Sequence, residues 1–143
     1  MSPKRLIVYA DGGSRGNPGP AGSGAYLEDE AGNPVARVYK YIGETTNNVA
    51  EYSALIFGLK EAERQGAEDL LIRMDSQLVV RQIEGVYRVK EPTLQKLHGH
   101  ALTLLKHFRS FRMEHIPREE NAEADKLANM AMDSHLSKIT RGE

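Results

Sequence analysis

The chain has 143 residues, of which 40% are hydrophobic, with a net charge of −1 and no cysteine. This length suits one domain with its own core. The lack of cysteine excludes disulfides, thiolate zinc sites and cysteine nucleophiles, and it suits a reducing compartment. The apolar run near the amino terminus is too short for a signal peptide core or a membrane span, so we expect a cytoplasmic protein with no membrane partner.

Three strands are predicted in the first part of the chain. The apolar run after Arg5 predicts a first strand that ends at Asp11, and the glycine-rich stretch 12–24 is interpreted as a turn or loop. Two further strands, at 25–28 and 35–42, are joined by a segment with Gly-Asn-Pro turn chemistry. These strands are predicted to form a meander.

Helices dominate the rest of the chain. Apolar residues at helical spacing predict a helix over 48–65, with Gly66 as its carboxyl-terminal glycine. The later predicted elements are a strand at 70–74, a short helix at 76–83, a longer helix at 92–108, a strand at 111–116 and a helix at 121–132. The order βββαβααβα predicts an α/β fold, a five-stranded mixed sheet flanked by helices. One domain over residues 1–133 and a flexible polar tail over 134–143 are expected.

Acidic residues follow two of the predicted strands. Asp11 and Asp75 end strands that a helical crossover should make parallel neighbours, so both carboxylates are expected at one sheet edge. A carboxylate beside a buried strand is costly to desolvate without a partner, and a divalent cation is one such partner. Glu51 and Asp125 lie on predicted helices that can face the same edge. The spacing permits a four-carboxylate metal site, and helix caps or surface charges are the competing interpretation.

The charge is distributed unevenly along the chain. Residues 77–118 contain eight Lys or Arg residues and three Glu residues, although the whole chain is nearly neutral. A basic region beside an acidic cluster is typical of a protein that holds a polyanion and cuts it at a metal. A solvated basic helix face is the alternative interpretation.

Four segments, in order and over nearly the whole chain, resemble the signature segments of type-one ribonuclease H. They are YADGGSRGNPGPAG at 9–22, TTNNVAE at 45–51, DSQLV at 75–79 and NAEADKLA at 121–128. The resemblance implies a ribonuclease H-like fold and hydrolysis of the RNA strand of RNA–DNA hybrids, leaving 5'-phosphate and 3'-hydroxyl ends. It also implies two Mg²⁺ ions, with Mn²⁺ as a substitute, in a two-metal-ion mechanism. The implied catalytic and metal-binding carboxylates are Asp11, Glu51, Asp75 and Asp125.

The same resemblance implies a set of substrate-binding residues. The backbone of Gly12, Gly13 and Ser14 is expected near RNA 2'-hydroxyls, the groups that distinguish RNA from DNA. The other implied contacts are side chains with amide or hydroxyl groups: Asn17, Thr46, Asn47, Asn48 and Gln77. Helix capping is an alternative role for Asn47 and Asn48. A P-loop is disfavoured because the glycine stretch lacks the Lys-Ser/Thr ending and precedes a predicted strand.

Two regions depart from the pattern of larger relatives. His115 stands ten positions before Asp125, where those relatives carry a loop histidine linked to proton movement or product release. The apolar alternation around it favours a histidine on a strand face instead. The connection at 85–92 lacks an extended basic protrusion, so the chain resembles compact members of the family. Arg81, Arg88 and Lys90 are candidates to replace part of its grip on substrate.

The expected partner is an RNA–DNA hybrid, with duplex RNA as a further candidate substrate. Two other function classes remain open from the residues alone: a non-catalytic module that binds hybrids or duplex RNA, and a related polynucleotidyl transferase such as an integrase or resolvase. A monomer is expected because the sequence shows no obvious apolar patch.

Overall fold

Within residues 4–142, which the computed structural model describes, six strands form one mixed sheet in the order β5-β4-β1-β2-β3-β6. Residues 1–3 and 143, which belong to the predicted domain and tail, lie outside the described residues. The strands are β1 (Arg5–Ser14), β2 (Gly19–Asp29), β3 (Pro34–Thr45), β4 (Asp69–Met74), β5 (Ser110–His115) and β6 (Lys138–Arg141). The helices are α1 (Asn47–Arg64), α2 (Gln77–Ile83), α3 (Pro92–Leu105) and α4 (Ala122–Ser134), with a 3₁₀ turn at Arg118–Glu120.

Strand directions in the centre of the sheet agree with the predicted crossover. β1 and β4 are parallel neighbours, as predicted, and β5 is parallel to β4. The meander of β1, β2 and β3 is antiparallel. The carboxyl ends of β1 and β4 therefore lie at the same edge of the sheet.

Local chemistry explains where α1 begins and ends. Thr46 is its N-cap, and the Thr46 Oγ1 accepts a hydrogen bond from the Val49 amide at 3.3 Å. The capping role considered for Asn47 and Asn48 is therefore wrong, because Thr46 occupies that position. Gly66 has a φ of +79° just beyond the helix, as expected for a carboxyl-terminal glycine.

Helices cover both faces of the sheet, and glycines allow the close approach. α1 packs against β1 and β2, and α3 packs against α1. On the opposite face, α4 packs over β2, where a Cβ at Gly22 or Gly24 would lie 2.6 or 2.5 Å from a helix carbonyl oxygen. No helix within residues 4–142 is long and apolar enough to cross a bilayer.

The glycine-rich stretch is mostly strand, which corrects the predicted loop. β1 continues through Ser14 and β2 begins at Gly19, so the turn contains only residues 15–18. Glycine has a low strand propensity, and this made the segment resemble a loop. Here the missing side chains make room for the packed helices.

The predicted strand count of five is wrong because the polar tail contributes β6. This strand pairs antiparallel with β3, with Arg37 opposite Thr140. Its residues are mostly exposed, so no apolar pattern marked it. Arg141 anchors it through Nε and Nη2, each 3.0 Å from one carboxylate oxygen of the buried Glu61. Burial opposes ionisation of Glu61, but hydrogen bonds from Arg141 and Gln65 outweigh it and lower the pKa.

Arg141→Ala should destabilise the protein by about 1–3 kcal/mol, because it leaves a buried carboxylate without its cation. Lys138→Ala, which removes an exposed cation from the same strand, should change stability by less than about 0.5 kcal/mol. Urea denaturation followed by circular dichroism measures both values. Equal effects of the two substitutions would contradict the anchoring role of the ion pair.

Candidate active site

Three carboxylates meet at the shared edge of β1 and β4. Oxygen atoms of Asp11, Glu51 and Asp75 all lie within 4.8 Å of one another. They open into a cavity of about 320 Å³ that Asp125 also lines, outside the tight group of three. The structure thus brings together all four acids that the sequence analysis singled out.

Backbone packing places these side chains. Ala10 of β1 is paired with Met74 of β4, so Asp11 within β1 and Asp75 just after β4 are the next residues along two adjacent parallel segments. At Gly12, a Cβ would lie 2.2 Å from the carbonyl carbon of Ala50. Only glycine permits this contact, which brings the start of α1, and with it Glu51, against β1.

The cluster is electrostatically unfavourable without a cation. Burial raises the pKa of Asp11 from 3.8 to about 8, with further contributions from repulsion by Asp75 and a hydrogen bond with Asp125. Burial, then repulsion by Asp11 and Asp75, raises the pKa of Glu51 well above its ordinary value. Glu51 Oε2 is buried with no hydrogen-bond partner among the described residues. A set of carboxylate oxygens with one buried atom unsatisfied fits a hard divalent cation such as Mg²⁺ or Mn²⁺.

Asn121 supports the cluster from the start of α4. Its fully buried side chain donates from Nδ2 to the Ala10 carbonyl oxygen at 2.9 Å and to Asp75 Oδ1 at 3.2 Å. Although it occupies the N-cap position, the side chain makes no capping hydrogen bond. Asn121 therefore links the start of α4 both to β1 and to Asp75, the residue that follows β4. Asn121 is the first residue of the fourth signature segment, but the resemblance implied no role for it.

Two arginines at the cavity were also missed. Arg118 Nη2 lies 3.7 Å from Asp125 Oδ1. Arg15, on the other side, donates from Nη2 to Asn129 Oδ1 at 3.0 Å. Both residues line the cavity. Arg15 lies in the first signature segment, and Arg118 lies in the basic region. The motif and the local charge therefore pointed to these arginines, but neither signal predicts that their side chains line the cavity.

The predicted substrate-binding residues divide into two groups. Gly12, Gly13, Ser14 and Asn47 line the cavity. Asn47 Oδ1 accepts hydrogen bonds from the Ser14 amide at 2.8 Å and hydroxyl at 3.2 Å. Asn17 is not part of the cavity lining, but its Oδ1 accepts a hydrogen bond from the Asn47 backbone amide at 3.0 Å, which fixes the turn against α1.

The second group lies outside the cavity lining. Thr46 caps α1, and Asn48 and Gln77 are exposed at the first turns of α1 and α2. His115 is exposed at the last position of β5, opposite Met74 in register. It is not part of the cavity lining, and its role stays a prediction.

Comparisons with known proteins identify the family of this chain. A family model described as reverse transcriptase-like matches residues 9–131. Ribonuclease HI of Halobacterium salinarum is 44% identical over 129 residues, covering 90% of this chain and 65% of the relative. The crystal structure of RNase H1 from the same archaeon has a TM-score of 0.88, covering 90% of this chain and 98% of that one. The chain belongs to the ribonuclease H family.

Two further relatives show how much of their length this chain matches and which of them was solved with a nucleic acid. Bifunctional protein Rv2228c of Mycobacterium tuberculosis is 47% identical over 131 residues, covering 91% of this chain. LC11-RNase H1, solved in complex with an RNA/DNA hybrid, is 47% identical with a TM-score of 0.87, and the match covers 91% of this chain and 98% of that one. This chain spans only 36% of the length of the mycobacterial relative. The short connection between α2 and α3 confirms a compact form without a basic protrusion.

The metal-free protein should become less stable as the pH rises. Folding raises the pKa of Asp11 from 3.8 to about 8, so between these values the folded state binds more protons than the unfolded chain. The free energy of unfolding then decreases with increasing pH across that window. Asp11→Asn cannot ionise, and it should gain at least about 3 °C in Tm at pH 8 in the presence of EDTA. The gain should shrink towards pH 5 in thermal unfolding, and a gain independent of pH would contradict the assignment.

Asn121→Ala removes the two hydrogen bonds that support the cluster. We expect a loss of about 1–3 kcal/mol in stability and a divalent-cation affinity lower by about 10–100-fold. Titration calorimetry with Mg²⁺ and Mn²⁺ measures the affinity. Asn33→Ala, in the turn between β2 and β3, serves as the control and should bind cations like the parent. Unchanged cation affinity in Asn121→Ala would exclude a role in positioning Asp75.

Proposed function

We propose that this chain is an endoribonuclease that hydrolyses the RNA strand of RNA–DNA hybrids and leaves 5'-phosphate and 3'-hydroxyl ends. The observation that carries the proposal is the group of three carboxylates within 4.8 Å at the edge of two parallel strands. The 47% identity to LC11-RNase H1, solved with an RNA/DNA hybrid, supports the choice of substrate. Duplex RNA is a second substrate to test, and we propose a monomer.

Asp11, Glu51, Asp75 and Asp125 are the residues that would hold two Mg²⁺ ions, with Mn²⁺ as a substitute. Divalent cations bound there supply an activated water and stabilise the leaving oxygen of a phosphodiester. The chain's own contribution is to hold the carboxylates close together at one edge of the sheet, where bound cations would favour their charged forms. Asn121 orients one oxygen of Asp75, and the packing of α1 at Gly12 fixes Glu51.

We assign the discrimination between the RNA and DNA strands of the hybrid to residues at the end of β1. Gly12, Gly13 and Ser14 line the cavity beside the acids, which supports a contact of their backbone with a sugar edge. A contact to the 2'-hydroxyl would place RNA rather than DNA at the acids. Asn47 holds this segment through its two bonds from Ser14, so its amide oxygen shapes the surface that the RNA meets.

The alternatives predict different outcomes in the same experiment. A binding module without catalysis would leave every substrate intact, and an integrase or resolvase would cut DNA. Four carboxylates that share one cavity support catalysis over binding alone. The TTNNVAE and DSQLV segments favour ribonuclease H over the transferases.

Asp75→Asn keeps the side-chain shape but removes one negative charge from the cluster. We expect nearly complete loss of hybrid cleavage, by at least about 10³-fold, because the bound cations lose a charged ligand. Labelled hybrid, duplex RNA, duplex DNA and single strands, each with Mg²⁺, provide the substrates. Glu30→Gln removes an equal charge from an exposed turn and should cleave at the parent rate. Cleavage by Asp75→Asn at the parent rate, or cleavage of DNA alone by the parent, would reject the proposal.

A further inference from the structure

Arg15 lines the same cavity as the four carboxylates. It lies in the turn between β1 and β2, where its amide donates to the Pro20 carbonyl oxygen at 2.8 Å. Its side chain reaches α4, where Nη2 lies 3.0 Å from Asn129 Oδ1 and 2.8 Å from Asp133 Oδ1. Backbone and side chain are thus both fixed beside the carboxylates.

The contacts of Arg15 leave most of its guanidinium available. Both side-chain contacts of Arg15 use Nη2, so the N–H groups of Nε and Nη1 have no partner among residues 4–142. The Arg15 side chain is 49% exposed and that of Asp133 is 65% exposed, so this ion pair adds little to stability. Together with Asn129, Asp133 positions this half-exposed cation beside the cavity.

The charges around the cavity set Arg15 apart from Arg118. Arg118 points at Asp125, one of the four carboxylates, at 3.7 Å. Arg15 is paired instead with Asp133, which is not part of the cavity lining. Its positive charge is therefore not directed at the proposed metal ligands. A planar guanidinium with free N–H groups is well suited to a phosphate.

We propose that Arg15 binds a backbone phosphate of the RNA strand adjacent to the scissile phosphate, and that Asn129 and Asp133 hold its guanidinium in place. The RNA strand is the one expected beside Gly13 and Ser14, the residues that precede Arg15 in the chain. The inference rests on the proposed function, because it adds a residue to the substrate contacts of that site.

Binding is measured separately from cleavage to test this role. Fluorescence anisotropy with a labelled hybrid, in the Asp75→Asn background, gives Kd between about 50 and 200 mM salt. Arg15→Gln should weaken binding by about fivefold or more and lower the slope of log Kd against log salt by about 1, because one phosphate contact is lost. Asp133→Asn should weaken binding less and keep the slope, because the Arg15 charge remains.

Arg5→Gln is the matched control, since it removes an exposed arginine at the start of β1 that lines a different cavity and lies outside the basic region 77–118. It should leave Kd and the salt slope unchanged. Steady-state cleavage by otherwise unmodified Arg15→Gln should show a raised KM with kcat within about threefold of the parent. An unchanged salt slope, or a lowered kcat with unchanged KM, would overturn phosphate binding by Arg15. Failure of the parent to cleave any hybrid would instead reject the proposed function.

Discussion

Close backbone contact between α1 and β1 determines the geometry of the whole site. At Gly12 the strand lies so near the helix that a Cβ would be 2.2 Å from the Ala50 carbonyl carbon, and Glu51 is the next residue of the helix. Gly22 and Gly24 allow an equally close approach of α4, which carries Asp125, on the opposite face of the sheet. Because the contacts join backbone to backbone, little side-chain rearrangement can alter the positions of these acids. The glycines are therefore part of the site's construction, whatever they contact in the substrate.

The same construction creates an electrostatic conflict that the apolar core must overcome. Asp11 is only 7% exposed, and its pKa is raised to about 8 by burial and by its neighbours. Glu51 has a buried oxygen with no partner among the described residues. Without a cation, the folded state favours protonated acids, whereas a metal site needs charged ones. Cation binding and full ionisation of the cluster are thus coupled, and a binding site of this kind lowers the stability of the metal-free fold.

Local patterns predicted most of the fold and half of the carboxylate cluster. Periodicity located α1 and β4, and the crossover rule placed Asp11 and Asp75 at one edge, because these signals depend on nearby residues and on strand order. Glu51 and Asp125 were added by resemblance, since helix spacing alone does not say how each helix is rotated. The glycine-rich strands were mistaken for a loop because the reason for their glycines lies in distant helices. β6 was missed because an exposed edge strand carries no apolar alternation.

Two of the three residues that sequence reasoning missed, Asn121 and Arg15, have partners far away along the chain, whereas the third, Arg118, lies only seven positions from its partner Asp125. Asn121 is 111 positions from Ala10, whose carbonyl oxygen it binds, and Arg15 is 114 positions from Asn129. These two bonds attach the start and the middle of the last helix to Ala10 within β1 and to Arg15 just after it. An undocked α4 would remove Asp125 from the cavity and the Asn121 support from Asp75 at the same time. Docking of the last helix and completion of the site are therefore one structural event, which joins the two ends of the chain at the proposed reaction centre.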